Sequence, residues 1–401
     1  MSISILCLEC VDARNNRTLS IKLEKVGSDN GGGSTPFYVV NLPIGSPNPT
    51  TTRLTLDLDS SETVVNCSNE LAASSRTLHK LKCADPDTRS RKTLEGCEVE
   101  DSVWLNKLRS NVSDPMVSVA VRKVNFKCGR NAEEVAGFSG VAASSLPAQV
   151  SKNAGLGRKF AYCLPSIAYI GSPDAYTKAQ EITFFGRFLE VQIKYFRSNQ
   201  FQRTPLIIKK KKKNQKQKNG SEAEPRYAIS VHNMSVGGGG WVGSVNLSKP
   251  IELFISTTQP YTSLETSTYA AFRDMFRHAV APAPTADPVA PFDTCYAANS
   301  FFDRYGSQHP LPVGPVLSLD LAGDASWTVS APKYFVRPSS APGVACFGFV
   351  DAGPNKPNVL GTFQQEDSLL EFDVTRSTLA FQRIYEPDTS ERFLTGCRHL
   401  V

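Results

Sequence analysis

Residues 54–67 read Leu54-Thr-Leu-Asp-Leu-Asp-Ser-Ser-Glu-Thr-Val-Val-Asn-Cys67. Leu54, Leu56 and Leu58 alternate with Thr55, Asp57 and Asp59. That is the period of a half-buried strand, in which successive side chains point to opposite faces. The strand carries Asp57 into a turn at Ser60 and Ser61, and Val64-Val65 opens a second apolar run. Taken alone, the segment reads as an ordinary strand with its acids facing water. Matching features late in the chain change that reading.

The chain of 401 residues is long enough for two cores of ordinary domain size. Short β-rich runs between Gly- and Pro-containing turns dominate over helix-period stretches, so the expected class is mainly β. No run of about 20 apolar residues is present, which excludes a membrane-spanning helix. Ten cysteines are many for a reduced compartment. Asn-x-Ser/Thr sequons stand at Asn16, Asn66, Asn111, Asn219, Asn233 and Asn246. Cysteines and sequons together favour a secreted, disulfide-bonded glycoprotein. Met1 to Leu8 has an apolar core without a positive leader region, and Cys7 and Cys10 follow at once, so the start reads as incomplete for a signal peptide.

Lys209 to Lys213, with Lys216 and Lys218, supply seven positive charges against a net charge of +6, so the rest of the chain is close to neutral. This stretch reads first as a solvated insertion, and its functional reading is attraction to acidic cell-wall polysaccharide. Nothing else suggests nucleic-acid binding. His79, His232, His278, His309 and His399 are scattered, and Cys7 and Cys10 form half of a zinc site at most, so no metal or cofactor is expected. Gly237 to Gly240 lacks the strand-glycine-helix context of a phosphate loop and reads as a flexible turn. Trp104, Trp241 and Trp327 read as core or sheet aromatics. Cys67 to Cys128 is polar and irregular until an alternating strand pattern resumes at Val117 to Phe126.

Several stretches carry a family resemblance. The Asp57 segment resembles the first catalytic loop of pepsin-like aspartic peptidases, and Phe37-Tyr-Val-Val-Asn-Leu-Pro-Ile-Gly-Ser-Pro resembles their opening strand. Ala136-Gly-Phe-Ser-Gly through Ser145-Leu-Pro-Ala-Gln and Arg158-Lys-Phe-Ala-Tyr-Cys-Leu-Pro are similar to one plant branch of these proteins. So are Thr183-Phe-Phe-Gly, Pro260-Tyr-Thr-Ser-Leu-Glu-Thr-Ser-Thr-Tyr and Val359-Leu-Gly-Thr-Phe-Gln-Gln-Glu-Asp-Ser. That branch holds xylanase inhibitors, extracellular dermal glycoproteins and basic seed globulins. The resemblance implies a two-lobed pepsin-like fold with a few short helices, and the helical spacing of apolar residues from Tyr269 to Ala279 predicts one of them. It implies a terminal segment at 1–35, an N-terminal lobe at 36–190, a linker with the Lys-rich insertion at 191–225, and a C-terminal lobe at 226–401. It also implies disulfides Cys163–Cys397 and Cys295–Cys346, with Cys67–Cys128 and Cys83–Cys97 as further pairs.

Aspartic peptidases need two carboxylates close enough to share one proton, so that the pair activates a water as base and acid together. Asp57 takes the place of the first, but Ser256 stands where the second belongs. Leu58 replaces the hydroxyl residue that helps lock the two loops, and Asp59 and Thr258 replace their glycines. No tyrosine lies between Tyr38 and Tyr162 to serve as a flap residue. These departures predict a catalytically inactive homologue, a pseudo-enzyme. The branch then implies a secreted plant defence protein that inhibits microbial cell-wall glycoside hydrolases such as xylanases or glucanases. The inhibitors' histidine before the last cysteine is missing, since His399 follows Cys397. Two other readings stay open: an aspartic endopeptidase with a degenerate site, using Asp59 for the missing acid, and a storage or surface glycoprotein without an enzyme partner.

Overall fold

The computed structural model describes residues 18–27, 36–67, 75–83, 94, 96–107, 117–129, 134–171, 201–209, 226–238, 241–245, 247–301, 314–383, 385–387, 393–395 and 397. The fold is mainly β. A sheet of thirteen strands runs in the order 202–205, 378–383, 368–373, 159–163, 167–170, 19–26, 37–44, 50–57, 135–137, 64–65, 118–128, 97–107, 79–83. A second, nine-stranded sheet is built round the long strand Arg226–Gly238, which pairs antiparallel with 251–255 and 316–321.

The large sheet interleaves distant parts of the chain. Leu19–Val26 pairs antiparallel with both 37–44 and 167–170, so a full strand precedes residue 36. Ser368–Asp373 pairs with Lys159–Cys163, which brings the end of the second half into the sheet of the first. Both strands of that junction are almost entirely buried. Phe160 stacks on Phe372 with ring centroids 4.8 Å apart.

Three α-helices lie among the described residues: α1 (Leu146–Ala154), α2 (Thr266–Ala279) and α3 (Thr362–Gln365). The Ser145 hydroxyl accepts from Ala148 N at the start of α1, and Gly155 closes it in the left-handed conformation at φ 67°. Helix α2 buries Phe272 and Phe276, with Phe276 stacked on Phe347 at 4.2 Å. It begins at Thr266, a few residues before the periodic run Tyr269 to Ala279.

Two readings of the sequence need correction. The irregular stretch between Cys67 and Cys128 contains an eleven-residue strand, Cys97–Lys107, paired antiparallel with Ser118–Cys128. Its inward positions are Val99, Asp101, Val103 and Leu105, and the buried acid among them hid the period. Asp101 is accommodated because Ser75, Thr77 and the Ser102 amide all donate to its Oδ1. Gly237 and Gly238 belong to a strand, opposite Val242 and Trp241. The Asn233 sequon also lies in a strand, and its Nδ2 donates to Asp320 at 3.0 Å.

Four disulfides lie among the described residues: Cys67–Cys128, Cys83–Cys97, Cys163–Cys397 and Cys295–Cys346. His79, His232 and His278 are exposed. The stretches around Cys7 and Cys10, Thr183 to Gly186, Lys210 to Lys218, His309 and His399 lie outside the described residues.

Candidate functional site

The site grows from two strand ends that face each other. Strand Thr50–Asp57 buries Leu54 and Leu56 and leaves Asp57 half-buried at its tip. The chain then turns back on itself. Asp57 Oδ1 accepts from the amides of Asp59 at 2.9 Å and Ser60 at 3.2 Å. Strand Val135–Gly137 lies parallel beside this tip, with Gly137 opposite Asp57. A Cβ on Gly137 would stand 2.4 Å from the Glu62 carbonyl oxygen, so only glycine lets the turn come this close.

The second half repeats the arrangement. Strand Ile251–Ile255 delivers Ser256, which is buried. Ser256 Oγ accepts from the amides of Thr258 and Gln259, each at 3.3 Å, the same two positions downstream as at Asp57. Strand Asn358–Leu360 runs parallel beside it, followed by Gly361, where a Cβ would fall 2.2 Å from Tyr261 C. The serine hydroxyl thus takes the place of a carboxylate oxygen in an otherwise matching turn.

A single hydroxyl joins the two loops. Thr257 Oγ1 accepts from Leu58 N at 2.9 Å and donates to Leu56 O at 2.9 Å, and Thr257 is fully buried. The sequence reading placed the lock at position 58 and found it lost to leucine. The structure keeps half of it, supplied from the opposite loop. Neither Asp59 nor Thr258 is among the residues at positive φ, so these turns close without the glycines they replace.

Burial raises the Asp57 pKa above the ordinary aspartate value, and the two backbone N–H groups partly offset that. Asp59, the substitute acid considered from sequence, stays on the first loop and pairs with Arg226 at 3.6 Å. Arg226 in turn covers the Phe254 ring at 4.6 Å. Asp59 is therefore committed to a cation beside its own loop.

Behind the Ser256 loop, α3 supplies support that sequence reading missed. Gln365 Nε2 donates to Ser256 O and Leu360 O, both at 2.8 Å, and its Oε1 accepts from Tyr162 Oη at 2.7 Å. Next along the chain, Glu366 is held by Lys25 at 2.6 Å, Lys333 at 2.8 Å and the Tyr38 hydroxyl. Asp367 also pairs with Lys333 at 2.6 Å. Burial alone would raise the Glu366 pKa, but Lys333 and Lys25 reverse this and bring it down to about 2. Burial likewise opposes the Lys333 charge, yet the two carboxylates outweigh it and its pKa is raised.

Lys209, the first residue of the lysine run, pairs with Glu252 on the neighbouring surface. Among the described residues, no group of three or more His, Cys, Asp or Glu could hold a metal ion. No helix among them is long and apolar enough to cross a membrane.

Comparison with known proteins bears on the family and the fold. The family described as "Xylanase inhibitor C-terminal" matches residues 226–383. Gamma conglutin 1 of Prunus dulcis is 28% identical over 381 residues, covering 81% of this chain and 79% of that protein. The crystal structure of basic 7S globulin from soybean superposes with a TM-score of 0.65 at 21% identity, over 96% of this chain and 99% of the other. An aspartic proteinase from Irpex lacteus superposes with a TM-score of 0.54 at 13% identity, over 94% and 100% of the two chains.

Proposed function

We propose that this chain, a pepsin-fold homologue of the gamma conglutins and basic 7S globulins with a xylanase-inhibitor C-terminal domain in its second half, is a catalytically inactive, secreted binding protein. Its partner in this reading is a microbial cell-wall glycoside hydrolase. The observation that carries the inactivity is the Ser256 hydroxyl, which accepts the two turn amides that a second carboxylate would take. With one acid in the cleft there is no pair to share a proton, and a serine hydroxyl cannot act as the second acid or base near neutral pH. Asp59 does not replace it, because it lies on the same loop as Asp57 and faces Arg226.

Four disulfides support an oxidising, extracellular destination, and the exposed Asn66 sequon is open to glycosylation. The test has two arms. Purified protein incubated with peptide substrates at about pH 3 to 5 is expected to cleave nothing, and cleavage that vanishes in Asp57→Asn would refute inactivity. Immobilised protein is expected to retain a xylanase or glucanase from a fungal culture filtrate and lower its activity.

A storage or surface role without an enzyme partner is the second reading, favoured by the likeness to gamma conglutin 1. Retention of no hydrolase would favour it. The lysine run at 209–218 is a proposed contact for acidic polysaccharide. Deleting it should lower retention on a pectin column and leave folding intact, with wild-type retention falling steeply as salt rises.

A further inference from the structure

A cavity of about 640 Å³ opens on the first half, away from the Asp57 and Ser256 loops. It lies where the start of strand Leu19–Val26, the end of strand Cys97–Lys107, the middle of strand Ser118–Cys128 and helix α1 converge. Its volume falls in the range of sites that take drug-sized ligands. Lys107, Arg122 and Lys123 line it, no carboxylate among the described residues does, and none of the three cations forms an ion pair with a described residue. The remaining wall is largely aliphatic, with Leu19, Val121 and Leu156 among its members.

The backbone here is also unusual. Lys123 has φ 61°, in the left-handed region that lysine rarely adopts. The pairing of strands 97–107 and 118–128 shifts register at this point, so Arg122 and Lys123 together form a bulge opposite Ser102. Asn153 of α1 holds the bulge, donating from Nδ2 to the carbonyls of Arg122 at 3.0 Å and Lys123 at 2.7 Å. A bulge re-aims the side chains it carries, and strained backbone persists only where its surroundings enforce it. In this place the two re-aimed side chains are two of the three cations of the cavity.

We infer that this cavity binds a small amphiphilic anion, with a carboxylate or sulfonate against Arg122, Lys123 and Lys107 and an apolar body along the aliphatic wall. Saccharides are recognised less well by such a lining, because none of its described residues offers an aromatic ring for a sugar face to cover. The charged end supplies orientation and the apolar end supplies buried area.

The experiment uses the full chain and a fluorescent naphthalene sulfonate, displaced by decanoate, by decanol and by trigalacturonate. Saturable binding is expected, with decanoate displacing the probe and decanol at least about tenfold weaker, the size of one lost charge-assisted contact. Arg122→Ala combined with Lys123→Gly removes two charges and suits the left-handed backbone, so it should fold and weaken binding by more than about tenfold. A matched pair on the opposite lobe, Arg277→Ala with Lys356→Ala, should leave binding unchanged. Absence of saturable binding, equal displacement by decanol, unchanged affinity in the bulge variant, or displacement by trigalacturonate in preference to decanoate would each overturn the inference.

Discussion

The loop at Asp57 and the loop at Ser256 place the same hydrogen bonds around different atoms. In each, the side-chain oxygen at the strand tip accepts from the amides two and three residues on. Each is also flanked by a parallel strand leading to a glycine that no side chain could replace without a clash. The difference lies in charge and in backing. Asp57 can ionise and Ser256 cannot, while the Ser256 side is braced by Gln365, Tyr162 and the Lys25–Glu366–Lys333 cluster. What the turn requires is an acceptor oxygen, and the Ser256 hydroxyl meets that need with slightly longer contacts than the Asp57 carboxylate. The same turn is therefore built round a carboxylate in one half and a hydroxyl in the other.

The brace behind Ser256 offers the largest perturbation. Glu366→Gln leaves Lys333 buried with only Asp367 opposite it and should cost about 3 to 5 kcal/mol, read as a lower urea midpoint. The cluster also predicts the acid behaviour. Because the folded Glu366 pKa is depressed to about 2, its contribution is fully present above the ordinary glutamate value and lost as pH falls toward 2. Acid unfolding that sets in well above the ordinary glutamate range would argue against the cluster.

The shared glycines come next. Gly137→Ala and Gly361→Ala both drive a methyl into backbone, and each should cost about 3 kcal/mol or more. Loss at one site only would show that the two turns are not built alike.

Thr257→Val keeps shape but leaves Leu58 N and Leu56 O without their partner, for about 2 kcal/mol or more. A stability unchanged within error would mean that the lock is idle.

Asp57→Asn should be the mildest, within about 1 kcal/mol at neutral pH, since the new side chain keeps an oxygen for the two amides. The sign follows from the raised pKa: the folded state takes up a proton more readily than the unfolded one, so Asp57 makes the wild type gain stability as pH falls through its folded value. The variant should lack that gain, which a pair of denaturation series at pH 3 and pH 7 would reveal.

Much of this site was legible in residue order, because turn chemistry is local. The alternation ending at Asp57 and the serine in the matching loop both lie within single short segments. Thr257 was passed over because its partners, Leu56 and Leu58, are about 200 residues away and offer only backbone atoms. Lys333 and Glu366 look like surface charges in sequence, and only their convergence with Lys25 explains their burial. Strand Cys97–Lys107 was obscured by an inward aspartate, and its partner's bulge at Arg122 and Lys123 breaks the two-residue period. Local pattern carried the strands with ordinary interiors and failed where a buried polar group or an extra residue interrupted them.

The junction of strands 159–163 and 368–373 has a consequence for synthesis. When a ribosome has released only the first half, Lys159–Cys163 can pair with Ile167–Ile170 on one side, but its other edge has no neighbour until about 200 more residues emerge. For that interval the nascent chain presents an apolar, unpaired strand, the kind of edge that recruits other chains. A chain stopped at residue 225 should therefore be recovered as aggregate, and the full-length protein should depend on whatever shields that edge until its closing strand arrives.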